Sequence, residues 1–200
     1  MSREAHVRFC ESRGVRFPPA THLVILSPTK ERAELALATL AQILAELGLS
    51  LASAKTSLVD LREPKAGFDF LGFHHRRVES FTRKGRYFCA RWPSERAVRR
   101  AKDRIRSHTA RRWLLLPVET IVERLNLFLV GWRGYFAYGN STTVFHDLDE
   151  FVTERMARFV SNKHGYHGRN FGLMVLRDHE NLGVTHLVGN VRHGPAHAVR

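Results

Sequence analysis

Cysteine is scarce in this 200-residue sequence. The two cysteines, Cys10 and Cys89, lie far apart and match no spacing of zinc ligands. Such usage suits a reducing compartment, where thiols stay unpaired. We therefore expect two buried, inert thiols and no zinc site.

Long uncharged apolar runs are also missing. A membrane-spanning helix needs about 20 predominantly apolar residues, and no segment here approaches that composition. The first residues, MSREAHVRFCESRG, are polar and charged where a signal peptide carries its hydrophobic stretch. These absences predict a cytoplasmic protein with no membrane partner.

Acidic residues are few relative to basic ones. Lys and Arg number 32 against 19 Asp and Glu, which gives a net charge of +13. The excess is concentrated, because residues 76–112 hold 14 basic and 3 acidic side chains. At 44% hydrophobic residues the chain has enough apolar content for a folded core. A folded domain with such a basic segment is typical of proteins that bind a polyanion, and nucleic acid is the leading candidate.

The first half of the chain is predicted to alternate strand and helix. A β-prone run at 20–26 precedes Ser27-Pro28-Thr29, which can start a helix, and Gly48 can end it. The apolar stripe of that helix consists of Ala33, Leu37, Leu40, Leu44 and Leu47. Further strands are predicted at 56–61, 68–73, 76–81 and 86–91.

After Trp92-Pro93 the apolar period becomes helical. Ser94 can cap a first helix that buries Ala97, Ala101 and Ile105, and Pro117 can open a second helix. A third helix is predicted at 145–162, with Asp147, Asp149 and Glu150 in its first turn, where acidic groups suit the helix dipole.

Two features beyond the helix pattern carry expectations. Gly131 and Gly134 flank Trp132 in the second helix and would permit close approach of another backbone. The tail after Lys163 is rich in Gly, His and Asn, and only the run 184–188 has strand character.

Several motifs together resemble a known family. Gly48-Leu49-Ser50-Leu51, Lys55 and Phe70-Leu71-Gly72-Phe73 resemble the last palm blocks of group II intron-encoded reverse transcriptase/maturases. Residues 131–136, which include Trp132 and Tyr135, resemble the maturase-specific thumb region of that family, also called domain X. Residues 187–192 resemble its C-terminal tail. The family-motif positions are Lys55, Gly72, Trp132 and Tyr135.

The resemblance implies an α+β fold, in which a truncated palm of β-α-β and hairpin strands precedes a helical thumb. The expected divisions are a poorly matched segment at 1–19, the C-terminal part of a palm at 20–92, a helical maturase domain at 93–165, and a basic Gly/His-rich tail at 166–200. In the family, the palm supports RNA-templated DNA synthesis and the thumb grips intron RNA.

The catalytic carboxylates of the family have no counterpart here. Where the family carries the Asp-Asp pair of its Tyr-Ala-Asp-Asp turn, this sequence has Thr21 and His22. Magnesium requires charged oxygen ligands, and two-metal phosphoryl transfer requires carboxylates. The fingers also lack a matching segment. We therefore expect no catalytic residues, no metal site and no polymerisation by this chain alone. No cofactor is expected either, although intact members of the family use magnesium.

RNA binding is the function that remains for the helical segment. Arginine offers both a phosphate fork and a plane for stacking, and only Glu95 and Asp103 are acidic within 95–112. The predicted RNA-binding residues are Arg96, Arg99, Arg100, Arg104, Arg106, Arg111, Arg112 and Arg133. Trp132 falls in the apolar stripe of the second helix and is assigned to the core, which leaves Tyr138 as a candidate for base stacking.

Three hypotheses stay open at this point. The first is an RNA-binding, polymerase-inactive maturase whose partner is group II intron RNA and whose role is to assist splicing. The second is the C-terminal portion of a reverse transcriptase, active only when a separate chain supplies the fingers and the front of the palm. The third is a decayed gene fragment, which would expose unpaired strand edges and aggregate.

Overall fold

The computed structural model describes residues 3–9, 22–165 and 182–192. The chain mixes strands and helices, so the predicted α+β class is confirmed. The strands are β1 Arg3–Phe9, β2 His22–Ser27, β3 Leu51–Val59, β4 Gly67–Phe70, β5 Phe73–Glu79 and β6 Tyr87–Pro93. The helices are α1 Lys30–Glu46, α2 Glu95–His108, a 3-10 turn Arg111–Trp113, α3 Val118–Phe136 and α4 Thr142–His164.

The chain divides into two compact units between Ala90 and Arg91. We call the first the sheet unit and the second the helical unit. The sheet unit contains two three-stranded sheets, in the orders β2-β1-β3 and β4-β5-β6. Helices α2, α3 and α4 lie in the helical unit.

The first sheet is a split β-α-β arrangement. Strand β1 pairs antiparallel with both β2 and β3, so these two run parallel to each other and α1 connects them. The central strand therefore comes from 1–19, the segment for which the sequence motifs had no match. Thr29 caps α1 by accepting from the backbone N–H of Arg32, and Gly48 follows the helix at φ 70°.

The apolar stripe of α1 is only partly buried. Ala33 and Leu44 are buried, and Leu37 and Leu40 are half-buried. Leu47, predicted to belong to this stripe, is 68% exposed. The helix ends at Glu46, so Leu47 lies beyond its last turn and no longer follows the helical period.

A hairpin replaces the predicted continuous strand at 68–73. Leu71 and Gly72 form its two-residue turn, with φ values of 47° and 82°. A turn with positive φ at both central positions matches the twist of the flanking strands. The apolar residues around Gly72 predicted one continuous strand, because hydrophobicity does not reveal a turn. In the structure, β5 starts at Phe73 and not at 76.

The thiol expectation is wrong for Cys89, which is exposed on β6, while Cys10 lies outside the described residues. Edge and surface positions of a small sheet leave many side chains uncovered, so strand membership alone does not bury a residue. Over the described ranges, no helix has both the length and the apolar content that a bilayer crossing requires.

The helical unit is built by local signals that the sequence carries plainly. Ser94 is buried and accepts from the Ala97 N–H at 3.3 Å, which caps α2. Pro117 immediately precedes α3, as predicted. The side chains at the centre of the unit are fully or almost fully buried: Ile105, Leu125, Leu129, Phe145, Leu148, Val152, Met156, Phe159 and Leu187.

Helix α4 begins earlier than predicted. It starts at Thr142, so Asp147, Asp149 and Glu150 lie beyond its first turn, which carries no acidic side chain. The dipole interpretation of these residues is therefore wrong. The earlier start adds three residues before Phe145, which is fully buried.

Two expectations for α3 have different outcomes. Trp132 packs against Phe136 and Phe145, with ring centroids 4.5 and 5.6 Å apart, as expected of a core residue. Gly131 and Gly134 do not support a close backbone approach, because a Cβ at either position would meet nothing within 4 Å among the described residues.

Residues 182–192, which we call the strap, pack onto α3 and α4. The predicted strand at 184–188 is absent from the described structure, although Val184 and Leu187 are buried. A segment without a strand neighbour must find other partners for its backbone groups. Side chains supply them: Asn126 accepts from Thr185 N–H and donates to the Gly183 carbonyl, both at 2.8 Å.

An aspartate of α4 secures the middle of the strap. The Asp149 carboxylate accepts from the backbone N–H groups of Leu187 and Val188, at 2.9 to 3.0 Å. Leu187 itself is 0% exposed. The strap is thus part of the core of the helical unit.

Candidate nucleic-acid interface

The outer face of α2 presents the densest group of exposed arginines in the predicted set. Ala101 and Ile105 occupy the inner side of the helix and are buried. The opposite side is exposed and carries Arg96, Arg99, Arg100 and Arg104, which we call the α2 face. At about 1.5 Å of rise per residue, this face is roughly 12 Å long.

The arginines of the α2 face have no internal counter-charge. Within the described residues, none of the four guanidinium groups has a hydrogen bond or an ion pair with another side chain. The acidic residue on the same side, Asp103, is instead paired with Arg106 at 2.7 Å. The positive charge of the face is therefore available to an external anion.

Arg106 differs from the other predicted residues of α2. Besides its ion pair with Asp103, its guanidinium carbon lies 5.1 Å from the ring centroid of Phe151, a residue of α4. The Lys102 ammonium lies 5.3 Å from the same ring. Both distances fall in the range of cation–π attraction. Arg106 thus has a role in packing α2 against α4.

The turn after α2 brings together residues that the sequence patterns only partly identified. Arg111 and Arg112 are exposed, as predicted, and the half-buried Trp113 follows them. The guanidinium carbon of Arg112 lies 5.1 Å from the Trp113 ring centroid, and that of Arg124 on α3 lies 5.2 Å from it. Arg124 was missed because it lies outside the basic run 96–112 and next to Glu123.

His108, at the end of α2, lies beside this group. Its pKa is lowered from the ordinary value, first by burial and then by the charges of Arg104 and Arg124. Its Nε2 is buried without a hydrogen-bond partner among the described residues, and its ring lies 6.3 Å from that of Phe128. Charges from two helices therefore converge near one imidazole.

Arg133 is hydrogen-bonded within the protein, which a residue that contacts only phosphate does not need. Its Nη1 donates to the His186 carbonyl of the strap at 3.0 Å. Tyr135 is exposed and its ring meets that of Phe136 edge-on. Tyr138, the predicted stacking residue, is exposed, and its hydroxyl accepts from Arg192 at 3.3 Å. The roles of Arg133 and Tyr138 in RNA binding stay predictions, as does the family-motif assignment of Tyr135.

The remaining predicted positions lie in the sheet unit. Lys55 is exposed on β3, and Gly72 is in the β4–β5 turn. His22 is the first residue of β2, and Thr21 lies outside the described residues. The expectation that this region lacks catalytic residues stays a prediction.

A group of possible metal ligands occurs on α4. Ligand atoms of His146, Asp147 and Glu150 lie within 4.8 Å of one another, and all three residues are exposed. Neighbouring polar residues on a solvated helix commonly approach each other in this way without binding an ion. The group offers no argument for a metal site.

A comparison with protein-family models decides the nature of the helical unit. Residues 98–173 match the model of the group II intron, maturase-specific domain. Over these residues the chain is similar to that domain. No curated protein matches the chain.

The predicted recognition of a maturase C-terminal region is thereby confirmed. The matched segment includes most of α2, the turn with Trp113, and all of α3 and α4. Arg96 precedes the matched segment by two residues, and the strap follows it. The resemblance of 20–92 to a palm stays a prediction.

Proposed function

We propose that this chain binds group II intron RNA through its maturase-specific domain and assists splicing without polymerising nucleic acid by itself. The observation that carries the proposal is the α2 face. Four exposed arginines without internal counter-charges lie on one side of α2, and three of them fall within the segment that matches this family. Structured RNA is contacted chiefly through phosphates and 2′-hydroxyls, for which guanidinium forks are suited.

Electrostatics sets the expected behaviour in salt. If the domain contacts six to ten phosphates, its affinity falls by roughly 10³ to 10⁵ between 50 and 200 mM salt on the duplex scale. A weaker dependence would indicate fewer phosphate contacts. Binding titrations at several salt concentrations therefore give the number of phosphate contacts.

Charge-removing variants test the α2 face directly. The test variant is Arg96→Gln/Arg99→Gln/Arg100→Gln, and the charge-matched control is Lys30→Gln/Arg32→Gln/Arg158→Gln. All six side chains are exposed, so both variants retain the packed core. Binding to a transcript of the group II intron nearest the gene should weaken at least tenfold in the test variant and less than threefold in the control.

Splicing of the same transcript at low magnesium provides the functional readout. Wild type and the control variant should accelerate splicing, while the α2-face variant should not. Equal splicing rates with wild type, the α2-face variant and no protein would refute the proposed assistance. Equal affinity for the intron transcript and heparin would refute selective RNA binding.

A complemented polymerase is the second candidate. The observation that favours it is the split β-α-β of the sheet unit, which is the arrangement expected of a palm. The substitution of the family's carboxylates by Thr21 and His22 opposes it. Primer extension with a separate chain that supplies fingers and a front palm should yield no product. Product formation would replace the first proposal with this one.

A decayed fragment predicts a different solution behaviour from either function. Exposed strand edges of an incomplete domain promote aggregation. A soluble chain with a cooperative melt excludes decay, whereas aggregation on expression supports it.

A further inference from the structure

A single indole ring supports two guanidinium groups in the helical unit. The Arg112 and Arg124 guanidinium carbons lie 5.1 and 5.2 Å from the Trp113 ring centroid. Arg112 belongs to the turn after α2, whereas Arg124 belongs to α3. Both arginines are exposed, and neither has an ion-pair partner among the described residues. The ring thus brings two uncompensated charges from different elements together.

The ring itself is held in one orientation. Trp113 is half-buried, and its Nε1 donates to the Ser107 carbonyl at 3.0 Å. A surface arginine ordinarily loses conformational freedom when it binds a ligand, which weakens binding. Contact with a fixed ring restricts both guanidinium groups before any ligand arrives. Such restriction is useful for an anion-binding site and has little value for folding alone, because surface cation–π contacts stabilise a fold only weakly.

Positive charge also lies near the end of α2. Burial and then the charges of Arg104 and Arg124 lower the pKa of His108, which agrees with uncompensated positive charge near the junction of α2 and α3. Phosphate carries the matching charge and accepts the paired hydrogen bonds that guanidinium offers.

We propose that Arg112 and Arg124, supported by the Trp113 ring, form a preorganised site for backbone phosphate of the bound RNA. This phosphate site rests on the proposed function and adds a second contact area beyond the α2 face. Trp113 is a positioning residue, whereas the arginines contact the ligand. The ligand is a nucleic-acid phosphate rather than a protein carboxylate, because the domain is of the maturase-specific family and the surrounding surface is strongly basic.

The first test removes the two ring-supported charges. Arg112→Gln/Arg124→Gln should reduce the slope of log affinity against log salt for the intron transcript by about 1.5, since each phosphate contributes roughly 0.7 to 0.9. Its affinity should fall about tenfold at fixed moderate salt, with a melting temperature close to wild type. An unchanged salt slope overturns the proposal. Equal losses of affinity for heparin and for the intron transcript also overturn it, because they indicate general polyanion attraction.

The second test separates positioning by Trp113 from a merely structural role. Trp113→Leu keeps every charge but should weaken RNA binding about two- to fivefold, and Trp113→Phe, which keeps an aromatic ring, should weaken it less. In the Arg112→Gln/Arg124→Gln background, Trp113→Leu should have no further effect on affinity. An effect of equal size in both backgrounds overturns the positioning role. If Trp113→Leu fails to fold, the Trp113→Phe cycle and the salt slope of the arginine variant decide the outcome.

The α2-face variant keeps this test distinct from that of the proposed function. Arg96→Gln/Arg99→Gln/Arg100→Gln shares no residue with the phosphate site. If it loses intron binding and Arg112→Gln/Arg124→Gln does not, only the phosphate site is wrong. If wild type shows no preference for the intron transcript, the proposed function fails, and the phosphate site fails with it.

Discussion

The α2 face and the contacts of the strap use basic and polar side chains in opposite ways. On the α2 face, four arginines are exposed and none has an internal counter-charge among the described residues. At the strap, Arg133, Asn126 and Asp149 all bond to backbone groups of 182–192. Residue type alone therefore does not separate a candidate binding surface from a structural contact. The two regions differ in whether the side chain has a hydrogen-bond or ion-pair partner within the protein.

Other basic residues of the helical unit follow the structural pattern. Arg155 donates from Nε and Nη2 to the hydroxyl and carbonyl oxygens of Thr109, each at 3.0 Å. Lys163 donates to the carbonyls of Leu114 and Leu116 at 2.8 Å. These bonds connect α4 to the segments that follow α2, so they stabilise the fold and occupy donors that would otherwise be available to an external anion.

The largest effect expected from the comparison concerns the apolar anchor of the strap. Leu187→Ala should lower the free energy of unfolding by about 3 kcal/mol, because it removes a fully buried side chain and leaves a cavity. Val188→Ala is the matched control, since Val188 is exposed and should cost less than about 1 kcal/mol. Chemical denaturation measures both. Equal effects of the two variants would show that the strap is not part of the core.

Removal of the strap's carboxylate should have the next largest effect. Asp149→Ala leaves the Leu187 and Val188 N–H groups without their acceptor and should cost about 2 kcal/mol. The side chain of Asp149 is only 14% exposed, so water replaces these bonds poorly. Asp147→Ala, at an exposed neighbouring position, should change stability by less than about 0.5 kcal/mol. A stability loss in both variants would instead point to a general charge effect on α4.

Arg133 and Arg99 offer the sharpest contrast between the two regions. Arg133→Gln should cost about 1 kcal/mol of stability through loss of its bond to His186 and leave intron affinity nearly unchanged. Arg99→Gln should leave stability nearly unchanged and weaken intron binding by several-fold. Thermal melts and salt-dependent binding of the two variants check this. Weakened RNA binding by Arg133→Gln, without a change in stability, would instead support the predicted role of Arg133 in RNA binding.

The smallest effect concerns pH. The pKa of His108 lies below its ordinary value in the fold, chiefly because of burial and then because of Arg104 and Arg124. The unfolded chain therefore binds more protons than the folded chain below about pH 6.5, and stability declines as the pH falls through that value. His108→Gln should flatten this decline in melts between pH 8 and 5.5.

Arg124→Gln supplies the matching control for the pH effect. It removes one of the like charges, so the pKa of His108 should rise toward its ordinary value in an NMR titration of the ring. The Phe128 ring and the burial of the imidazole remain, so the shift should be partial. A pKa of His108 unaffected by this substitution would contradict the convergence of Arg104 and Arg124.

Local chemistry made much of the helical unit predictable. Ser94 and Pro117 mark helix starts through capping and through a fixed φ, and both act within a few residues of their own position. The basic outer side of α2 follows from helical periodicity in the same way. Where apolar residues concealed a turn, at Leu71-Gly72, the pattern of hydrophobicity was misleading because it does not report φ.

The sequence by itself determined the helices of the domain, its basic character and its family motifs, since each depends on neighbours in the chain. Only the tertiary structure decided which charges have a partner within the protein and which are available to an external anion. Asn126 and Thr185 meet across 59 residues, and Arg133 and His186 across 53. The Trp113 ring likewise joins Arg112 to Arg124 of another helix. Contacts of this range arise when the strap and the helices pack, so no local pattern encodes them.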